Sequence, residues 1–220
     1  MKRNKKRELV TGSVLLGAFA VWTAVIQLVD VRNIGIDGTR VGLAALNSWF
    51  HQVTGVHMTL YIMTDWLSII PLLICVLFGV LGLFQLLKRK SLRKVDFDIY
   101  ILGIYYMVVV FFYVIFECIP INYRPVLIEG VRETSYPSST TLLVLAVMPA
   151  LAEQINRRVK NIRVKKIILF GNISFSIFMV LGRTISGVHW LTDIIGGILL
   201  SAGLFCIYRG VVLFGDKKKN

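Results

Sequence analysis

Six runs of apolar residues govern what this chain can fold into: Leu9–Val29, Leu67–Leu87, Asp98–Cys118, Ser138–Ile155, Lys166–Leu181 and Thr192–Phe214. A helix needs about 20 such residues to cross the hydrocarbon core of a bilayer, and each run approaches that length. With 56% hydrophobic and 17% charged residues among 220, a water-soluble domain would leave much of that apolar surface facing water. The expected fold class is therefore all-α, a six-transmembrane-helix bundle forming one domain over residues 1–220. The fifth run is short and the fourth and sixth begin with polar residues, so those ends are expected to face protein or water. The first run follows a basic start but is too long for a signal-peptide core. Gln27, Asp30 and Arg32 follow it without a small-residue cleavage site, so it reads as a retained span.

Charge sets the expected orientation. The 25 Lys and Arg outnumber the 12 Asp and Glu, for a formal net charge of +13. All but Arg32, Arg40, Arg124, Arg132 and Arg183 fall in four clusters: the N-terminus, Lys88–Lys94, Arg157–Lys166 and from Arg209 onward. By the positive-inside rule that face and both termini are cytoplasmic, with anionic lipid headgroups as by-product partners. Nucleic acid is not an expected partner, because the clusters sit between spans. Cys75, Cys118 and Cys206 lie in or beside apolar runs without metal-ligand spacing, and His51 and His57 lack a third ligand, so no metal or cofactor is expected. The segment from Asp30 to Trp66 is long for a bare loop, and its Leu43–Phe50 part, with Trp49 and Phe50, is expected to form an interfacial helix.

The remaining polar chemistry gathers in three span-end segments on the opposite face: Glu117–Pro125, Tyr136–Thr141 and Gly182–Asp193. His189 and Asp193 are four residues apart and share a helix face if the last helix begins near His189. A carboxylate there can accept one imidazole N–H and leave the other nitrogen free as a nucleophile. The bland alternative is a satisfied histidine at a helix end. Arg183 reaches the same space across a turn at Gly187, and its planar fork suits phosphate oxygens. Ser138, after Pro137, reads equally as a helix N-cap and as a phosphate contact.

These residues resemble the type 2 phosphatidic acid phosphatase family, whose helical core is shared with vanadium-dependent haloperoxidases. The family pattern has three blocks: Lys, six residues, Arg-Pro; Pro-Ser-Gly-His; and Ser-Arg, five residues, His, three residues, Asp. Arg124-Pro125 matches the end of the first block, Pro137-Ser138 the start of the second, and Arg183, His189 and Asp193 the third with its spacing. The resemblance implies a metal-independent phosphohydrolase acting on phosphorylated lipids at the outer face of a membrane, here expected to be the bacterial cytoplasmic membrane. It implies His189 as the nucleophile that forms a phosphohistidine, Asp193 as its orienting partner, and Arg124, Arg183 and Ser138 as the phosphate cradle.

Two positions depart from the pattern. Glu117 stands where the first-block lysine is expected, and Thr140 where the second-block histidine is expected. Arg132 is the expected compensating cation. Threonine cannot serve as an acid near neutral pH. Loss of the acid favours a diphosphate of the prenyl-carrier type, whose leaving group is already a stable anion. The alternatives are a proton supplied by Glu117 or Glu133, Glu117 as a structural partner of Arg124 or Arg132, or a non-catalytic lipid-phosphate binder or transporter on the same fold.

Overall fold

In the computed structural model, residues 5–216 form eight α-helices: α1 Lys5–Leu28, α2 Ala44–Thr54, α3 Met58–Leu67, α4 Ile69–Arg89, α5 Phe97–Cys118, α6 Ser139–Arg158, α7 Ile162–Ile185 and α8 Leu191–Asp216. Among these residues there are no strands, only isolated antiparallel bridges such as Tyr123 with Thr134. Five segments are long and apolar enough to cross a membrane: α1, the continuous stretch Met58–Arg89 made by α3 and α4, α5, α7 and α8.

The fourth apolar run becomes α6, which is absent from that set for a physical reason. It is the centre of the bundle, packed against α4, α5, α7 and α8, and it buries residues on every face, including Glu153 and Gln154. Surrounded by protein, it does not need a lipid-compatible surface. Pro149 interrupts its backbone ladder, and Asn172 of α7 donates to the neighbouring Met148 carbonyl at 3.0 Å. The main core unites Leu102, Tyr105 and Val109 of α5, Leu142, Ala146 and Ala150 of α6, and Leu200, Leu204 and Val212 of α8. Small residues let α1 and α8 approach closely: a Cβ at Gly203 would lie 2.9 Å from the Leu16 side chain.

Two boundaries differ from expectation. α7 starts four residues before the Lys166–Leu181 run because Asn161 caps it, its Oδ1 accepting from the Arg163 and Val164 amides at 3.0 and 3.3 Å. The segment from Asp30 to Trp66, long for a bare loop, contains α3 except for its last residue, Leu67, and α3 continues into α4 through Ser68. The expected Leu43–Phe50 helix is α2, shifted and extended to Ala44–Thr54, with Trp49 exposed.

The α2–α3 hairpin lies across the turn between α7 and α8. The His57 amide donates to the Ser186 carbonyl at 2.9 Å, and Asn47, fully buried, donates to Thr192 Oγ1 at 3.1 Å. Gly187 makes this contact possible: it has φ +70°, and a Cβ there would fall 1.9 Å from the Gly55 carbonyl oxygen. Gly187→Ala therefore combines backbone strain with a backbone clash and is expected to destabilise the protein by at least about 1 kcal/mol, read as a lowered melting temperature in detergent.

Candidate functional site

The N-terminus of α8 gathers the three polar segments. Trp190 precedes the helix, and the Asp193 carboxylate reaches back so that its Oδ2 accepts the Trp190 amide at 2.9 Å, the acidic half of a capping box. Its Oδ1 accepts from the Asn122 side-chain amide at 3.2 Å, and its backbone carbonyl accepts the Ser138 amide at 3.1 Å. One fully buried residue thus binds the segment after α5, the start of α6 and the start of α8.

His189 lies in the turn before α8 rather than on it, which alters the expected pairing. Its Nδ1 is 3.1 Å from the Ser135 carbonyl and 3.7 Å from Asp193 Oδ2. A carbonyl only accepts, so this contact assigns the proton to Nδ1 and leaves Nε2 as a bare lone pair. That Nε2 is buried without a hydrogen-bond partner. The carbonyl of Ser135, rather than Asp193, therefore takes the imidazole N–H.

Both family-pattern arginines share this neighbourhood. Arg124 and Arg183 are 7% and 1% exposed, and both guanidinium groups face the Tyr61 ring, at 5.4 and 4.6 Å from its centroid. Arg124 Nη2 pairs with Glu133 Oε2 at 3.1 Å, whereas its Nε and Nη1 have no partner. Arg183 donates through Nη2 to Asp65 Oδ1 at 2.9 Å and through Nη1 to the Tyr61 carbonyl and Thr64 Oγ1, leaving Nε unpartnered. Buried polar N–H groups without acceptors are costly and rare. Here they come from two guanidinium groups close enough to the His189 imidazole to act on it electrostatically, and an oxyanion is the kind of ligand whose lone pairs such N–H groups take.

The other expected site residues divide. Ser138 is the fully buried N-cap residue of α6, and its Oγ accepts from Thr141 at 3.0 Å. Thr140 is buried and lines a groove of about 400 Å³ with Asp65, Tyr113 and Ser139, continuing along Leu72, Val109 and Leu143. Glu117 lines a small cavity with His189 and Tyr113, and it accepts a hydrogen bond from Thr134 at 2.6 Å. Among the described residues it pairs with neither Arg124 nor Arg132; Glu133, closer along the bridged segment, takes Arg124 instead. Arg132 is not the compensating cation: it is exposed and stacks on the Tyr123 ring at 4.6 Å. Residues that the sequence alone did not single out are Asn122, Ser135 and the α3 trio Tyr61, Thr64 and Asp65. For Asp65, an acidic residue between apolar stretches was the available signal. Among the described residues no group of three or more His, Cys, Asp or Glu could hold a metal ion.

A bundle of membrane-length helices with an anion-ready histidine at one end defines the class of protein. The pattern of the PAP2 superfamily matches residues 76–214, well over half of the chain, and the protein belongs to that superfamily. The fold is similar to the crystal structure of a transmembrane PAP2-type phosphatidylglycerolphosphate phosphatase from Bacillus subtilis, with a TM-score of 0.59 and 18% identity over 94% of this chain and 96% of that one. No curated protein matches the chain. Family membership and the apolar helices make it an integral membrane protein.

Burial, followed by the positive charges of Arg124 and Arg183, holds the His189 imidazole well below its ordinary value of 6.5, against the opposing effect of the Ser135 hydrogen bond. Below 6.5 the unfolded chain takes up a proton at this position that the folded protein does not, so the contribution of His189 to stability falls as pH falls. Between about pH 6.5 and about pH 5, the melting temperature of the parent is expected to fall relative to that of His189→Gln.

Proposed function

We propose that this protein is a lipid phosphatase of the PAP2 superfamily acting through a phosphohistidine on His189. The observation that carries the reading is the bare Nε2 of His189 beside the unpartnered N–H groups of Arg124 and Arg183. In the proposed reaction Nε2 attacks phosphorus, forming the N–P bond as the P–O bond to the leaving group breaks with its electron pair. Arg124 and Arg183 balance the charge on the equatorial oxygens, and the amide-rich N-terminus of α6 at Ser138 adds to the cradle. Nδ1–H stays hydrogen-bonded to the Ser135 carbonyl, and the Asp193 carboxyl group, 3.7 Å from Nδ1, lies beside the charge that the imidazole acquires. Water then attacks the phosphohistidine, releasing phosphate and restoring Nε2.

The substrate is a lipid because the groove beside Thr140 runs from the polar cluster along Leu72, Val109 and Leu143 of membrane-length helices. Within that class a diphosphate of the prenyl-carrier type is preferred. Thr140 offers no acid for an alkoxide leaving group, and a departing phosphate needs none. Glu117 is the proton source if a monoester is cleaved, since it lines the same cavity as His189. In the proposed placement α6 is a sixth crossing, the basic clusters and both termini are cytoplasmic, and the site opens at the outer face of a bacterial cytoplasmic membrane, all within one domain spanning residues 1–220.

A second reading, a lipid-phosphate binder without turnover, is favoured by the carboxylates Glu133 and Asp65 on the two arginines and by the replacement at Thr140. Purified protein incubated with an isoprenoid diphosphate and with phosphatidic acid separates the two. Phosphate release from the diphosphate, abolished in His189→Ala, is the expected result. Release that survives this substitution would remove His189 as nucleophile, and no release from either lipid would leave the binder. Restoring an acid by Thr140→His is expected to raise phosphatidic acid hydrolysis toward the gain of about 10²-fold that a general acid supplies, with a smaller change for the diphosphate.

A further inference from the structure

We propose that α3 is part of the phosphate site, with Asp65 as the positioning residue that aims Arg183. This rests on the phosphatase reading for its kinetic consequences but not for its binding ones. A guanidinium is planar, so anchoring its two terminal nitrogens dictates where its Nε–H points. Among the described residues α3 supplies every hydrogen-bond acceptor of the Arg183 side chain: Asp65 Oδ1 takes Nη2 at 2.9 Å, and the Tyr61 carbonyl and Thr64 Oγ1 take Nη1 at 3.2 and 3.3 Å. Nε remains, buried and unpartnered. The same helix provides the Tyr61 ring that both arginines face.

The seat between α3 and α7 is close. A Cβ at Gly182, the residue before Arg183, would lie 2.8 Å from Thr64 Cγ2, so glycine lets α3 come near enough for its acceptors to reach the guanidinium. Thr64 is fully buried and directs its own proton to the Leu60 or Tyr61 carbonyl, which turns its lone pairs toward Arg183. The α3 residues precede residue 76, where the superfamily match begins, so this part of the cradle comes from outside the segment that carries the family pattern. Asp65 itself is half exposed and lines the groove with Thr140, which puts the anchor at the junction between groove and anion site.

The experiment measures orthovanadate binding calorimetrically, without turnover, and phosphate release in parallel, for the full chain and for Asp65→Ala, Asp65→Glu and Asp37→Asn. Asp37 is an exposed carboxylate outside the site and serves as the control. The expected result is a loss of vanadate affinity of about tenfold or more in Asp65→Ala, with kcat reduced by about 10–100-fold and KM changed much less, as misaligned donors produce. Asp65→Glu is expected to recover part of both, and Asp37→Asn to match the parent. Vanadate affinity in Asp65→Ala equal to that of the parent overturns the proposal. If Asp65→Ala aggregates in size-exclusion chromatography, Asp65→Asn is judged by the same criterion. A parent that binds vanadate but releases no phosphate removes the phosphatase reading alone, since the role of α3 is then decided by the binding data.

Discussion

The buried carboxylate of Asp193 is the constraint on which the rest of the site depends. It closes the N-terminus of α8 through the Trp190 amide, holds Asn122, and stands 3.7 Å from the His189 ring, while its own backbone carbonyl anchors Ser138 at the start of α6. Each of these bonds joins segments that are distant along the chain. A carboxylate with no solvent access must have its lone pairs satisfied, and satisfying them draws the loops together. The position of the histidine follows, because the turn that carries it has both ends tied.

Around that anchor the charges are arranged in layers. Two arginines lie deep, each balanced by a partly exposed carboxylate, Glu133 or Asp65, and each keeping at least one N–H without a partner. The carboxylates permit two cations to be buried side by side while no anion is bound. Their bonds fix the orientation of the guanidinium groups and leave Nε of both arginines and Nη1 of Arg124 without partners. The imidazole, desolvated and beside two positive charges, stays neutral and keeps its lone pair.

Much of this was legible in the residues themselves. The apolar runs announced the long helices, and the spacing of Arg183, His189 and Asp193 announced the site. Other features depended on partners that no local pattern names. α6 reads as a marginal span because its neighbours are helices, not lipid. The sequence does not single out Asp65, because its partner Arg183 lies 118 positions away. Arg132 was the expected extra cation, but the bridge between Tyr123 and Thr134 turns it outward onto an aromatic ring. Glu117 drew attention as a reversed charge; its Thr134 partner emerged only when that same strand-like pairing brought residue 134 beside the end of α5.

By itself the sequence determined the solvent of the protein, the approximate extent of its apolar segments, and which imidazole and guanidinium groups are candidates for the site, because hydropathy and motif spacing are local properties. Only the tertiary structure decided which acceptor holds each nitrogen. It transferred the His189 N–H from Asp193 to a backbone carbonyl and made α3 the seat of Arg183. Hydrogen bonds are short and directional, so their pairing is settled by where the helices come to rest, and that depends on packing over the whole bundle.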